Sequence, residues 1–498
     1  MKVMQSTWIS GAGCRARRRS AGVAALALAG LAVAAPAAAQ MTKQDVAAWL
    51  DARQEALTKV EKQIWNWAEL GYMEKKSSAL LESQLEAAGF TIERGVAGIP
   101  TAFVATFGSG KPVIGLLAEF DALPGINQDA TPERHPIEGK HSAHACGHNL
   151  FGTASTGAAM AIAEWLRSTG RSGTVRLYGT PAEEGGSGKV YMVRAGLFDD
   201  VDVVLSWHPA DRNGAAPGSN LAVKSAKFRF HGVSAHAAGA PERGRSALDG
   251  VEAMDNMVNM LREHVPQETR IHYVITSGGS APNVVPDFAE VYYYVRHPDP
   301  EMVRKLFDRV VAAAEGAAKG TGTTVDYEVI GGSYSRLPVV ALQKLVYGNL
   351  EAVGGVTYDE GEKNFGRAIQ KSFTQKVPPL ESAAEIQPFE WHRTYASSDA
   401  GDVSWTVPTS TLSAATWVPG TAAHSWQAVA AGGTTIGAKG MMVAAKTLAL
   451  SAVDLFTEPQ QLAAIRKEFL ARRGDDFVYR PLLGDRKPAL DYRASVAR

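Results

Sequence analysis

Apolar positions change their spacing several times along this chain, and each change predicts an element. From 43 to 69 they recur at helical intervals, with Val46, Leu50, Ile64 and Trp67 on one stripe. A second helix is predicted over 76–88. The run after Pro112, Val113-Ile114-Gly115-Leu116-Leu117, is continuously apolar and ends in Ala118-Glu119-Phe120-Asp121. Such a run reads as a strand buried on both faces, with polar residues at its carboxyl end. Residues 152–166 read as a small-residue helix. Further strands are predicted at 174–179, running into Glu183-Glu184, at 201–206, running into Trp207-His208-Pro209, and at 410–415, leading towards His424. Four strands thus deliver chemistry-bearing residues at or just past their carboxyl ends, where open α/β sheets build their sites.

The middle of the chain has another rhythm. Strands at 223–232, 270–276, 289–296 and 323–330 alternate with helices at 244–264 and 300–319. That order, β-α-β-β-α-β, is ferredoxin-like, and it interrupts the first pattern, which resumes at Pro338. Residues 362–400 are polar and irregular. The tail after Arg473 is rich in Pro, Arg and Asp and reads as a surface extension. Gly110-Lys111 and Gly188-Lys189 lack the remaining residues of a phosphate loop and read as turns.

Composition narrows the classes. The 498 residues are 45% hydrophobic and 20% charged, ordinary for a globular chain of two or three domains. Formal net charge is zero, but residues 1–39 hold five basic residues and no acid, which leaves −5 for the rest. Nothing points to nucleic acid. The same N-terminal segment carries Arg17-Arg18-Arg19, an apolar run from Ala21 to Ala35 and Ala37-Ala38-Ala39, the layout of a cleavable export signal. The run is short for a membrane span, so no stable membrane anchor is expected. The paired arginines lean towards twin-arginine export into the periplasm. The mature chain would keep one cysteine, Cys146, and could form no internal disulfide.

Cys146 stands in His144-Ala145-Cys146-Gly147-His148, and Glu183-Glu184 follow in a glycine-rich turn. Thiolate, imidazole and carboxylate are the donors a zinc-like ion uses. Two adjacent carboxylates allow one to hold metal while the other moves protons. His148, His208 and His424 join Cys146 and Glu184 as five candidate ligands, enough for two ions if one ligand or a water bridges. Of the twelve histidines, His135, His231, His264, His272, His297 and His392 read as surface or structural, and His141 and His144 stand between loop packing and support of the site. Structural zinc sites use closely spaced ligands, whereas these are spread over about 280 residues.

The strings Asp121-Ala122-Leu123-Pro124, His144-Ala145-Cys146-Gly147-His148, Pro181-Ala182-Glu183-Glu184-Gly185-Gly186 and His208-Pro209 resemble the amidohydrolase branch of the M20 metallopeptidases. Ala235-His236-Ala237-Ala238, Gly244-Arg245-Ser246-Ala247-Leu248-Asp249 and Pro282-Asn283-Val284-Val285 resemble its lid. Asp399-Ala400-Gly401-Asp402 and His424-Ser425-Trp426-Gln427 are similar to the aminobenzoyl-glutamate hydrolases within that branch. The resemblance covers about 46–456. It implies an α/β fold: a mixed-sheet, zinc-peptidase-like catalytic domain (40–219 and 334–472) with an inserted ferredoxin-like α+β lid and dimerisation domain (220–333), between a signal peptide (1–39) and a C-terminal extension (473–498).

The same resemblance implies two divalent ions per subunit, zinc or manganese with nickel and cobalt compatible, on Cys146, His148, Glu184, His208 and His424. It makes Glu183 the general base and Asp121 a support of the metal centre. His236 would reach across a dimer to the scissile carbonyl, and Asn283 and Arg296 would bind the substrate carboxylate. The implied reaction is hydrolysis of an N-acyl or N-aroyl amino acid, aminobenzoyl-glutamate foremost, with a broader N-acyl amino acid or dipeptide hydrolase as the alternative. The implied assembly is a homodimer through the lid or a pair with a homologous subunit, and a non-catalytic subunit is the remaining reading.

Overall fold

The computed structural model describes residues 40–494, so the export segment and Cys14 lie outside the described residues. Five strands form a mixed sheet in the order Thr91–Arg94, Phe103–Ser109, Gly173–Gly179, Val113–Ala118, Val203–Leu205. The last three run parallel, and the first two are antiparallel to their neighbours. Every residue of Val113–Ala118 is buried, as its unbroken apolar run requires. The helix His148–Thr169 packs on this sheet and against the helix Thr435–Thr457. Small residues such as Ala154, Ala158 and Ala161 let these elements approach closely. Thr435–Thr457 is long and apolar enough to cross a membrane, yet 83% of its apolar window is buried inside the protein, and it is a core helix.

A second sheet, all antiparallel, has the order Arg270–Ser277, Phe288–His297, Ala222–His231, Thr324–Ser333. The helices Ala247–Leu261 and Pro300–Thr321 pack on it around Phe228, Phe230, Met254, Tyr293 and Phe307. Here the expected ferredoxin-like order is realised with its own core.

Four sequence expectations need correction. The helix over 43–69 is two helices, Lys43–Asp51 and Gln54–Trp67. Leu50 and Leu57 are seven residues apart, so the apolar stripe continues across the bend and hides it. The strand at 410–415 shrinks to Ser413–Ala415 and pairs in parallel with His208–Ala210, outside the five-stranded sheet. Side chains take the ladder positions before it: Ser206 N donates to Ser410 Oγ, and Thr411 N donates to Gln343 Oε1. Gly188-Lys189 is no turn but opens the helix Gly188–Arg194.

The C-terminal segment is the fourth correction. It is no loose surface extension. Leu482 and Leu483 are buried, and Tyr479 Oη donates to Asp402 Oδ1 at 2.7 Å. Leu482 packs with Ala222, Val303 and Tyr334, where the lid joins the body. A Cβ on Gly332 would lie 2.7 Å from the Leu482 carbonyl carbon, so glycine is required there. The polar composition of the tail concealed two leucines and two tyrosines that carry its packing. Leu482→Ala should lower the unfolding free energy by about 2–5 kcal/mol, read by urea denaturation. A loss below about 0.5 kcal/mol, the range of ordinary surface substitutions, would show that the tail is not part of the core.

Candidate metal centre

Three strand ends of the main sheet build the site. Val113–Ala118 leads into Glu119 and Asp121, which differ by two positions and so point to one side. Gly173–Gly179 leads into Pro181-Ala182-Glu183-Glu184. Val203–Leu205 leads into His208. Cys146 and His148 come from the loop that starts the helix His148–Thr169, with Gly147 between them at φ 74°. A Cβ on Gly147 would sit 2.7 Å from Pro209 Cβ, so the glycine lets the Cys146 loop press against the His208 segment.

Two sets of three donors result. Cys146, His148 and His208 form one, and Cys146, Glu184 and His424 form the other, each with donor atoms within 4.8 Å of one another. Cys146 belongs to both. The Cys146 Sγ lies 3.6 Å from His208 Nε2, and Glu184 Oε1 lies 3.2 Å from His424 Nε2. A third group, Glu119, His148 and Glu183, meets the same distance test.

The imidazoles are held in defined states. His148 Nδ1 lies 3.0 Å from Asp121 Oδ1 and 3.1 Å from the Asp121 carbonyl, both acceptors, so Nδ1 carries the proton and Nε2 faces the cluster. His208 Nδ1 likewise donates to the Pro209 carbonyl at 2.8 Å, which leaves Nε2 towards Cys146. Asp121 has a second task, since its Oδ2 accepts from Glu184 N at 2.9 Å. His424 adopts φ 61°, and its N–H donates to the Ala145 carbonyl at 2.9 Å, which ties its loop to the Cys146 loop. Ala182 is also left-handed, at φ 57°, and its N–H donates to buried Glu74 Oε1 at 2.9 Å. Strained non-glycine backbone persists where surrounding contacts over-determine it, and such strain gathers at functional sites.

Electrostatics fit a cation. Burial alone would raise the Cys146 thiol, but the His208 and His148 imidazoles outweigh it and hold the thiol well below its ordinary range. Burial would lower His148, yet Cys146, Asp121 and Glu119 lift it well above an ordinary histidine. Hydrogen bonding to Cys146 and Glu184 raises His424 to about 10. Burial and the neighbouring Cys146 raise Glu184. Three buried atoms, His148 Nε2, Glu119 Oε2 and Glu184 Oε1, have no hydrogen-bond partner among the described residues, although charged neighbours stand 3.1–3.2 Å away. Donors that face one another without hydrogen-bond alignment suit a metal ion that accepts all of them.

The lid residues are distributed differently. Arg296 lines a cavity of about 460 Å³ together with Glu183, Glu184 and His424, and donates to Ser397 Oγ at 2.9 Å. His236 and Asn283 are exposed and do not meet the donor cluster of their own chain. His236 Nδ1 accepts from Ala238 N and Gly239 N, and the Asn283 carbonyl accepts from Ala237 N.

The peptidase dimerisation domain family matches residues 220–321. One of the subunits of the p-aminobenzoyl-glutamate hydrolase of Escherichia coli is 42% identical over 446 residues, 84% of this chain and 93% of that protein. The chain belongs to the M20 family. The mouse Xaa-Arg dipeptidase is 29% identical and shares 86% of this chain and 92% of its own length. A dinuclear metal-binding M20 peptidase from Bacillus subtilis has the same fold, with a TM-score of 0.57 and 18% identity over 82% of this chain and 99% of its own.

Sequence reasoning missed part of this M20 site. Lys189 is fully buried and bridges Glu119 Oε1 and Asp399 Oδ1, each at 2.7 Å. Asp399 also accepts from Lys189 N, so it fixes the start of the helix Gly188–Arg194. Glu119 could have been found from its two-residue spacing to Asp121. Lys189 could have been found as a charge set directly against the apolar run Val190-Tyr191-Met192-Val193. Tyr492 and Arg493 both donate to the Glu184 carbonyl, at 3.1 and 2.8 Å, so the chain terminus braces the Glu183-Glu184 turn. Lys189→Met would strand two buried carboxylates. It should cost about 3–5 kcal/mol in urea unfolding, the usual loss when one partner of a buried ion pair is removed. A variant as stable as the parent would contradict the network.

Proposed function

We propose that this chain is an exported, dinuclear-metal amidohydrolase that cleaves the amide bond of N-acyl or N-aroyl amino acids, with aminobenzoyl-glutamate as the lead substrate. One observation carries the reading. Two donor triads share Cys146, and beside them stands a carboxylate, Glu183, that belongs to neither. The ligands are Cys146, His148, Glu184, His208 and His424. Zinc or manganese suits this set, and the ions supply Lewis acidity and acidify water.

The chain's own residues do the rest. Burial raises the Glu183 carboxyl well above its ordinary value, and the charges of Glu119, Glu184 and Asp399 raise it further against the opposing pull of Lys189. A carboxyl shifted in this direction holds a proton more readily than an ordinary carboxylate, which suits a group that takes and returns one. Glu183 takes a proton from the attacking water as the C–O bond forms. It returns that proton to the amine nitrogen as the C–N bond breaks. Arg296 anchors the substrate carboxylate through a two-toothed guanidinium contact. Asp121 holds His148 and the Glu184 backbone in place.

Homodimerisation through the lid is part of the proposal. The edge strand Arg270–Ser277 exposes Tyr273, Val274 and Ile275, and the helix Ala247–Leu261 exposes Met257 and Met260. An apolar edge of this kind favours pairing with another chain. It would let His236 and Asn283 serve the site of a partner, where His236 would polarise the scissile carbonyl. A homologous second chain is the other reading, favoured by the naming of the Escherichia coli relative as one subunit of its enzyme. Export rests on the basic, apolar and Ala-rich N-terminal segment.

Amine release from aminobenzoyl-glutamate, hippurate, acetylated amino acids and dipeptides tests the function on the mature, metal-loaded protein. Turnover is expected on at least one of them, and Glu183→Gln should lower kcat at least about 100-fold. Silence of the parent on every amide, or full activity of the variant, would overturn the reading. Metal content provides a separate check. Glu183→Gln should keep two ions per chain by elemental analysis, whereas Cys146→Ala, which removes a donor from both triads, should lose metal. Unchanged content in Cys146→Ala would refute the shared ligand.

A further inference from the structure

A second cavity, of about 510 Å³, opens beside the cluster at His208 and is lined also by Arg336, Gln387, Trp391 and His392. Arg336 is its unusual member. The Arg336 Nε is buried without a hydrogen-bond partner, and none of its guanidinium nitrogens bonds to a carboxylate among the described residues. Buried guanidinium groups are ordinarily paired. Of the acids around it, Glu119 is bound by Lys189 and faces His148, Glu183 is the carboxyl assigned to proton transfer, and Asp211 and Glu390 line the cavity without bonding to it. Burial pushes the guanidinium below its ordinary value, which the charges of Glu119 and Glu183 only partly offset.

The backbone holds Arg336 firmly where the chain returns from the lid. Arg336 N donates to Asn220 Oδ1 at 2.7 Å, its carbonyl accepts from Ser219 Oγ at 2.9 Å, and Leu337 N donates to Ser404 Oγ at 2.9 Å. A cation fixed this way, unpaired and facing a cavity that touches a candidate ligand, is arranged to receive an anion. Arg296 and Arg493 also lack a carboxylate partner among the described residues; Arg493 donates to the Glu184 carbonyl, and Arg296 lines the separate cavity of Glu183, Glu184 and His424. One carboxylate cannot occupy both cavities.

We propose that Arg336 is a second carboxylate anchor, so that the preferred substrates are amides bearing two carboxylates, one bound by Arg296 and one by Arg336. The inference rests on the amidohydrolase reading and narrows its substrate class. The second carboxylate could belong to an acidic leaving amino acid or to the acyl group, and both sources present the same chemistry to a guanidinium.

Two matched pairs separate the sources: benzoyl-glutamate against benzoyl-glutamine, and succinyl-leucine against its succinamoyl analogue. Hydrolysis of each is followed in the metal-loaded parent, Arg336→Gln and Arg336→Lys. In one pair the parent should favour the charged member by about 100-fold in kcat/KM, the scale of a buried, hydrogen-bonded charge pair. In Arg336→Gln that ratio should collapse to within about 3-fold because KM for the charged member rises. Arg336→Lys keeps the charge without the fork and should retain part of the ratio, which also guards against a variant that merely misfolds. Absence of a charge preference in both pairs, its survival in Arg336→Gln, or an equal loss for charged and uncharged amides would overturn the anchor and leave the amidohydrolase standing. No hydrolysis of any of the four amides by the parent would overturn both.

Discussion

One buried carboxylate joins the pieces of this centre. Asp121 lies three residues past the fully buried strand Val113–Ala118, and its two oxygens reach two other segments. One faces His148 Nδ1 and the other accepts the Glu184 N–H. Burial would raise the Asp121 carboxyl, but the His148 charge outweighs it and keeps it lowered. A charged acceptor in a dry setting makes strong hydrogen bonds. It therefore fixes the tautomer of one candidate ligand and the backbone of another at once. The rigid strand sets the position of Asp121, and Asp121 passes that position on to the helix start at His148 and the turn at Glu184.

Around this tie, charge is balanced within short distances. Glu119, Asp121, Glu183, Glu184 and Asp399 crowd one end of the sheet, and Lys189 is the fully buried cation among them. Paired with Glu119 and Asp399, it offsets part of the repulsion among the acids. Glu183 is left without such a partner, and burial and like charge raise its carboxyl well above its ordinary range. The division of labour between neighbouring carboxylates follows from who is paired: Glu184 faces His424, while Glu183 faces like charges. Physical environment, more than position in the turn, distinguishes a ligand from a proton carrier.

The parts legible in the sequence were those with strong periodicity or dense motifs. The unbroken apolar run at Val113 and the alternating strands around Val223 and Ala289 announced both sheets. Cys146, His148, Glu184, His208 and His424 announced the donors, because their residue types are rare in such company. What escaped notice were single residues whose meaning depends on distant partners. Lys189 looked like part of a turn, since its partners lie 70 residues before and 210 residues after it in the chain. Asp399 sat in a stretch without periodicity. Leu482, Tyr492 and Arg493 were hidden by a polar tail whose few packing residues make contacts with the lid junction and the Glu184 turn. Composition averages over such residues, and packing does not.

The distribution of unpaired guanidinium groups extends the same logic from catalysis to selection. Elsewhere in the protein, cations meet anions: Lys189 with two acids, Arg176 with Asp200, Arg229 with Glu290 and Glu328. Arg296 and Arg336 depart from that rule, each at a cavity that borders the donor cluster, whereas Arg493, also without a carboxylate, is held by the Glu184 carbonyl. Leaving a guanidinium without its counter-ion costs stability, and no carboxylate among the described residues offsets that cost for these two. The cost is recovered when a substrate supplies the missing carboxylates. Neutral amides would leave at least one cation unsatisfied and bind less well, and discrimination then arises from what the wrong ligand fails to neutralise.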